Sequence, residues 1–287
     1  MILVTGATGR VGSALVEALP PGTAVRAASR SGDGSAAREV DWVRFSFSEP
    51  STFAPALEGI RAVFLIRPPQ MAKAADFEPF LDALEDRSIR RLVLLSVKGA
   101  DRNPLLPHRG LEKRVMGQSF DWTILRPSDF MQNLETVHAQ GIRERNEIAV
   151  PAGDGRSAFI DVADIGAVAS QVLLEEGHGG RGYDLTGPAA LSFSEIAAIL
   201  SDILDRPIVY RKTGIFKFTG EHRDEGIPMA LVMSALYTVQ RLGFAAEVTE
   251  DLPGLLGRPA TRLEDYAERQ RSVWLPTATT ATTPERS

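Results

Sequence analysis

The first residues able to do chemistry act through their main chain rather than their side chains. Thr5-Gly6-Ala7-Thr8-Gly9-Arg10-Val11-Gly12 follows a short apolar run, Met1–Thr5, and leads into an amphipathic stretch, Val11–Leu19, closed by Pro20-Pro21. A strand, a glycine-rich turn and a helix in that order suit a pyrophosphate. Gly6 permits the tight turn, Gly9 lets the backbone approach phosphate, and Gly12 lets the helix pack closely on the sheet. The loop from Thr8 through Val11 leads into the helix start, where unpaired N–H groups and the positive dipole end face an anion. Glycines that merely shape a βα turn are the plainer alternative; strand context and spacing favour the dinucleotide.

The choice of nucleotide rests on the tip of the second strand. An NAD site usually keeps a carboxylate there, roughly 20 residues past the loop, for the ribose 2′-hydroxyl. Here Val25–Ala28 runs into Ser29-Arg30-Ser31, a cation between two hydroxyls. A guanidinium holds a 2′-phosphate by charge-assisted bonds, with Ser29 or Ser31 as further donors and Arg10 as a candidate helper. The expected coenzyme is therefore NADP(H). A solvated loop cation is the alternative for Arg30.

These groups need a rigid frame, and the order of apolar runs supplies one. Val43–Phe45 suggests a third strand and Ser51–Leu57 a helix. Ala62–Ile66 and Leu92–Leu95 are nearly continuous apolar runs, the texture of central strands covered on both faces, with a helical Asp76–Leu84 between them and Trp122–Leu125 next. Strand and helix alternate, which specifies an α/β fold with a doubly wound parallel sheet of the Rossmann kind. After about Asn133 the strands shorten (Ile148–Val150, Tyr183–Leu185, Ile208–Tyr210) among helices at Val162–Glu175, Phe193–Leu204 and about Pro228–Leu242. The expected organisation is a dinucleotide-binding domain over 1–150 and a smaller α/β substrate lobe over 151–275. That lobe is partly interleaved with the main sheet, because Val162–Glu175 could equally pack there. The Thr-rich tail at 276–287 is expected to be disordered.

Composition removes other chemistries. With no cysteine there are no disulfides, thiolate nucleophiles or Cys-based metal sites, and the four histidines have no close helical spacing, so no metal is expected. A formal net charge of -5 disfavours nucleic acid and anionic membrane. A strand beginning at Ile2 leaves no room for a leader, and no run reaches ~18 apolar residues. The expectation is a cytoplasmic monomer or homodimer acting on a small molecule.

Further stretches carry a resemblance: Ala56-Leu57-Glu58-Gly59, Trp122-Thr123-Ile124-Leu125-Arg126-Pro127, Phe130-Met131-Gln132-Asn133, Phe159-Ile160-Asp161-Val162-Ala163-Asp164-Ile165 and Tyr183-Asp184-Leu185-Thr186-Gly187-Pro188. With the glycine loop, they resemble the atypical short-chain dehydrogenases/reductases of the NmrA-like NAD(P)H-binding group. The likeness is to the branch holding quinone oxidoreductases and ergot-alkaloid reductases, and it runs from Met1 to about Trp274. It implies adenine contacts at Ser46 and Phe47, although that position is usually an aspartate. It places Leu65, Ile66, Arg67 and Ser96 on the nicotinamide side, and Phe130, Met131 and Asn133 over the nicotinamide as substrate contacts. For Phe130 and Met131 plain core is an equal reading.

Classical relatives pair a Ser with Tyr-x-x-x-Lys, and no tyrosine here is followed four residues on by lysine. At the corresponding distance after Ser96 stand His108 and Glu112, one helical turn apart. Glu112 would raise the imidazole pKa and orient the ring, making His108 a proton donor near neutral pH; an ordinary helix-start pair is the alternative. Asp161 and Asp164 read as an N-cap and a first-turn acid, and Arg126 as a buried ion-pair partner. The resemblance thus implies an NADPH-dependent reductase passing hydride to a small apolar acceptor such as a quinone, enone, imine or ketone. A non-catalytic NADP(H)-sensing regulator of the NmrA type is the alternative. An epimerase or dehydratase acting on a nucleotide sugar is weaker, since such relatives keep the tyrosine.

Overall fold

A computed structural model describes residues 1–36, 39–221 and 227–275; His222 and the tail at 276–287 lie outside the described residues. In chain order the elements begin β1 (Ile2–Val4), α1 (Arg10–Ala18), β2 (Val25–Ser29), β3 (Asp41–Arg44), α2 (Phe53–Leu57), β4 (Ala62–Ile66) and α3 (Glu78–Glu85). They continue β5 (Arg91–Leu95), α4 (Pro107–Met116), β6 (Asp121–Pro127), α5 (Ala139–Arg145), β7 (Glu147–Val150), β8 (Arg156–Ser157), α6 (Val162–Leu174) and β9 (Arg181–Leu185). The last are β10 (Leu191–Ser192), α7 (Phe193–Leu204), β11 (Val209–Lys212), α8 (Ile215–Glu221), α9 (Ile227–Arg241), α10 (Asp251–Leu256) and α11 (Leu263–Arg269).

Seven parallel strands form the main sheet in the order β3-β2-β1-β4-β5-β6-β9. Their apolar runs are continuous because the two-residue side-chain period serves two cores. Ile2, Val4, Phe64, Val93 and Leu125 face one way, packed with Val11 and Leu15 of α1 and Ile165 and Val168 of α6. Leu3, Val63, Leu65, Leu92 and Ile124 face the other way, under Phe53, Phe80, Leu84, Leu111 and Val115. This is the expected Rossmann sheet, and the strand order reverses between β1 and β4, where such sheets bind ligands. Gly166 was not singled out by sequence reasoning. A Cβ there would stand 2.6 Å from the Ala14 carbonyl, so α6 rests on α1 backbone to backbone.

The Tyr183–Leu185 run, read as part of the smaller lobe, belongs instead to the main sheet: it lies in β9, paired in parallel with β6. α6, which packs on the sheet, is the crossover helix that a parallel partner for β6 requires.

The chain divides into two compact units that interleave along the sequence. The first comprises 1–130, 158–189 and 247–261 and holds the whole seven-stranded sheet; the second comprises 131–157, 190–246 and the described residues from 262 to 275. Within the second unit, β7 pairs in parallel with β11 and β8 antiparallel with β10. Its core gathers Phe193, Tyr210, Phe218 and Tyr237, and α7 starts with a capping box between Ser192 and Glu195. No helix among the described residues is long and apolar enough to cross a membrane.

Candidate functional site

The carboxyl ends of β1 and β4 are tied by one side chain. The buried Thr5 hydroxyl donates to the Phe64 carbonyl (3.1 Å) and accepts from the Ile66 amide (2.8 Å). The chain then turns at Gly6 with φ +62°, a conformation that favours glycine, and the Gly9 amide donates to the Gly6 carbonyl (2.9 Å). A Cβ on Gly12 would lie 2.2 Å from the Gly6 oxygen, so only glycine lets α1 begin this close to the turn. Gly9 caps the helix without a side-chain hydrogen bond, and the first turn holds no acid. The first-turn N–H groups have no intrahelical acceptors and face outward with the positive dipole end. These features fit a dinucleotide's pyrophosphate. Thr8 and Arg10 are exposed beside it, whereas the Val11 side chain is core and offers only its amide.

At the β2 tip, Arg30 is exposed, and among the described residues it makes no hydrogen bond or ion pair. Both neighbouring hydroxyls are already engaged. Ser29 Oγ donates to the Asp33 carbonyl (2.7 Å) and accepts from the Gly32 amide (3.0 Å), while Ser31 Oγ donates to the Asp33 carboxylate (2.5 Å). Sequence reasoning missed Asp33; its signal was an acid within four residues of the strand end. Beyond β3, Ser46 is half-buried, with its hydroxyl on Ser48 (2.8 Å) and its amide on Thr52. Phe47 is 7 % exposed and lies edge-on to Phe45, Phe77 and Phe80, so most of its ring surface is taken up by the core. Leu65 is fully buried, and Ile66 packs beside Gly6.

The expected His108–Glu112 partnership is not formed. Glu112 is fully buried and accepts two bonds from Arg126, Nε to Oε1 and Nη2 to Oε2, both 2.9 Å, plus one from Ser96 Oγ (2.5 Å). A buried carboxylate needs a cation and donors on its free oxygens, and the fork of Arg126 meets that need better than a neutral imidazole. Burial alone would lower the Arg126 pKa, but the Glu112 hydrogen bond and charge, with Asp101 and Asp184, raise it. Gly182 on β9 leaves room for that guanidinium: a Cβ there would stand 2.5 Å from Nη1. Arg126 is thus the ion-pair partner its setting suggested, half-buried against a fully buried Glu112.

His108 sits in the first turn of α4, where its Nε2 accepts from Arg67 Nε (3.2 Å). Arg67 is itself fixed on the Pro68 and Met71 carbonyls (3.2 and 2.7 Å). Burial, then the Arg67 charge, pushes the His108 pKa down to about 4, the opposite of the expected rise. The ring is therefore neutral near pH 7, its Nδ1 buried without a partner. Ser96 is buried, its amide on the Leu125 carbonyl (2.8 Å).

Phe130 is half-buried in the first unit, bridged to Ile160, whereas Met131 and Asn133 belong to the second. Met131 is 1 % exposed, and the Asn133 carbonyl accepts from the His138 amide (3.1 Å). Asp161 caps α6 through the Ala163 amide (3.0 Å). Buried Asp164 anchors Arg258 (2.6 Å) and the Thr261 amide (2.7 Å), so both acids are structural.

Residues 6–176 match the model of a family described as NAD(P)H-binding. An NAD(P)H azoreductase of Xenophilus azovorans is 33 % identical, with 96 % of this chain and 99 % of the relative covered. Agroclavine dehydrogenase of Claviceps fusiformis is 27 % identical over 96 % and 98 %. Among solved structures, the NADPH-dependent quinone oxidoreductase of Escherichia coli, complexed with NADPH, superposes with a TM-score of 0.84 at 24 % identity, covering 94 % of this chain and 100 % of that one. NmrA, a negative transcriptional regulator in complex with NADP, does so at 0.74 and 19 %, over 93 % and 94 %. The structural likenesses carry the fold; the family match carries the coenzyme class. The chain belongs to the NAD(P)H-binding family, and it stands among that family's oxidoreductases.

Proposed function

We propose that the protein is an NADPH-preferring reductase that passes hydride to a small conjugated acceptor, of the quinone, azo, enone, imine or ketone kind. The observation that carries this is the state of His108: a neutral imidazole held by Arg67 cannot protonate a substrate near pH 7. Acceptors that take hydride readily and draw their proton from water suit such a site, and the named relatives include an azoreductase and a clavine dehydrogenase. When bound, the coenzyme supplies the hydride. The protein's part is to bind and orient. The α1 N-terminus holds the pyrophosphate, and Arg30 meets the 2′-phosphate. Ser96 and Arg67 line the nicotinamide side, with Glu112 and Arg126 fixing Ser96 from behind. Ser46 lies toward the adenine. Half-buried Phe130 is the candidate acceptor contact on the first unit.

NADPH preference is kept moderate by Asp33, whose carboxylate occupies Ser31 and adds a negative charge beside the 2′ position. The test is NADPH oxidation against a panel of quinones, azo dyes, enones and imines. Turnover with at least one class supports the reading. Tight NADPH binding without turnover across the panel overturns it in favour of a coenzyme-sensing regulator.

A further inference from the structure

An open cleft of about 720 Å³ lies on the second unit, lined by the loop Gly153-Asp154-Gly155-Arg156, by Lys212-Thr213-Gly214 and by the end of α9 around Arg241 and Gly243. We propose that it binds a phosphorylated small molecule, at a site separate from the dinucleotide loop.

The walls are built for an anion. Three cations, Arg156, Lys212 and Arg241, line the cavity against one carboxylate, Asp154. Two of them have acidic partners: Arg156 pairs with Glu195 (2.8 Å) and Lys212 with Asp154 (2.6 Å). Arg241 makes no hydrogen bond or ion pair among the described residues, and its stem runs beside Gly153, where a Cβ would be 3.4 Å from Cγ. With those two pairs closed, Arg241 leaves one positive charge in excess, which a phosphate group would meet.

The glycines shape the lining loop, while the amides of Gly155, Thr213 and Gly243 are bonded internally, so side chains supply the recognition. Gly153 adopts φ +59°, and a Cβ on Gly155 would stand 2.2 Å from the Gln240 carbonyl, so the loop presses its backbone onto the end of α9. Tyr210 fixes it from below, its hydroxyl donating to the carbonyls of Val150 (3.2 Å) and Gly153 (3.0 Å). Burial, ahead of the Asp154 charge, pushes that phenol up to about 12, so the clamp stays protonated at any working pH. Gly214 and Gly243 are exposed, and nothing lies within 4 Å of a Cβ built on either, so the cleft is open to solvent there. The volume exceeds that of a bare phosphate and falls in the range of roughly 300–1,000 Å³ typical of small-molecule sites.

The experiment titrates inorganic pyrophosphate into the NADPH-saturated protein by calorimetry, so that the dinucleotide loop is filled first. Sodium chloride at matched ionic strength is the control. The expected result is saturable binding with one site per chain. Arg241→Gln should weaken it on the order of tenfold, the scale of one charge-assisted contact. Gly214→Asp, which sets a carboxylate into open space, should abolish it. Both variants should keep wild-type NADPH affinity, which shows that they fold. Heat no larger than the chloride control, or pyrophosphate binding unchanged in both folded variants, overturns the proposal. Neither result touches the reductase reading, which rests on the first unit.

Discussion

The glycine loop after β1 and the polar cluster behind β5 lie on one sheet edge, yet they obey different rules. The loop works through main-chain groups whose positions follow from φ angles and from Cβ atoms that must be absent: Gly6 at +62°, and Gly12 against the Gly6 carbonyl. The cluster works through long side chains that choose partners. Glu112 could have met His108 one turn away; it met Arg126 and Ser96, because a fully buried carboxylate takes the strongest donors in reach. Backbone sites are written locally, whereas side-chain sites are settled by tertiary competition.

The largest expected effect lies in the loop. Gly9→Val puts a branched side chain where phosphate must approach, and a Cβ alone would already lie 3.2 Å from the Gly6 carbonyl. NADPH affinity, read by fluorescence titration, should fall by at least about 10²-fold, the loss of two charge-assisted contacts, with circular dichroism largely intact. Unchanged affinity would remove the loop from the account.

Next comes the cluster. Glu112→Ala leaves Arg126 without its carboxylate and should lower stability by about 3–5 kcal/mol in denaturant unfolding. Glu112→Leu with Arg126→Met, which removes both charges, should recover much of that loss. Failure of the double variant to recover would show that more than pairing is at stake.

At the β2 tip the effects are smaller and opposite. Arg30→Ala should reduce the NADPH-over-NADH affinity ratio about tenfold or more, the value of a contact worth roughly 1.5–3 kcal/mol. Asp33→Asn should raise the ratio several-fold by removing a negative charge while an amide oxygen can still accept from Ser31. Equal wild-type affinities for the two coenzymes would overturn the assignment of Arg30.

The smallest effect on rate is expected at His108. His108→Phe should leave turnover within a few-fold, whereas a general acid's removal costs about 10² or more. Its mark should appear in stability instead. The imidazole pKa is about 4 folded against 6.5 in the open chain, so the unfolded state binds more protons between those values. Wild-type stability should therefore fall as pH drops from about 6.5 to about 4, and the variant should lose that part of the slope. A 10²-fold loss of turnover would restore His108 as the acid.

The same division explains what could be read in advance. The sheet, its two covered faces and the tight glycine turn after β1 were legible because they depend on two-residue periodicity and glycine positions. β9 was harder to place, since five residues do not say which sheet they join. Asp33 escaped because the usual position for a specificity acid is the strand's last residue, not the turn beyond. The fate of Glu112, on α4, depended on Arg126, fourteen residues away on β6, and on the room left by Gly182.

The central claim is that a coenzyme held by main-chain groups does two-electron chemistry without a protein acid. Its most direct test is NADPH oxidation with a quinone or azo acceptor across pH 6–9, in the wild type and in His108→Phe. One NADPH should be consumed per two-electron reduction, with closely similar pH profiles for the two proteins. A profile that loses an ionisation and about 10²-fold in rate in the variant, or no oxidation by a protein that still binds NADPH, would contradict it.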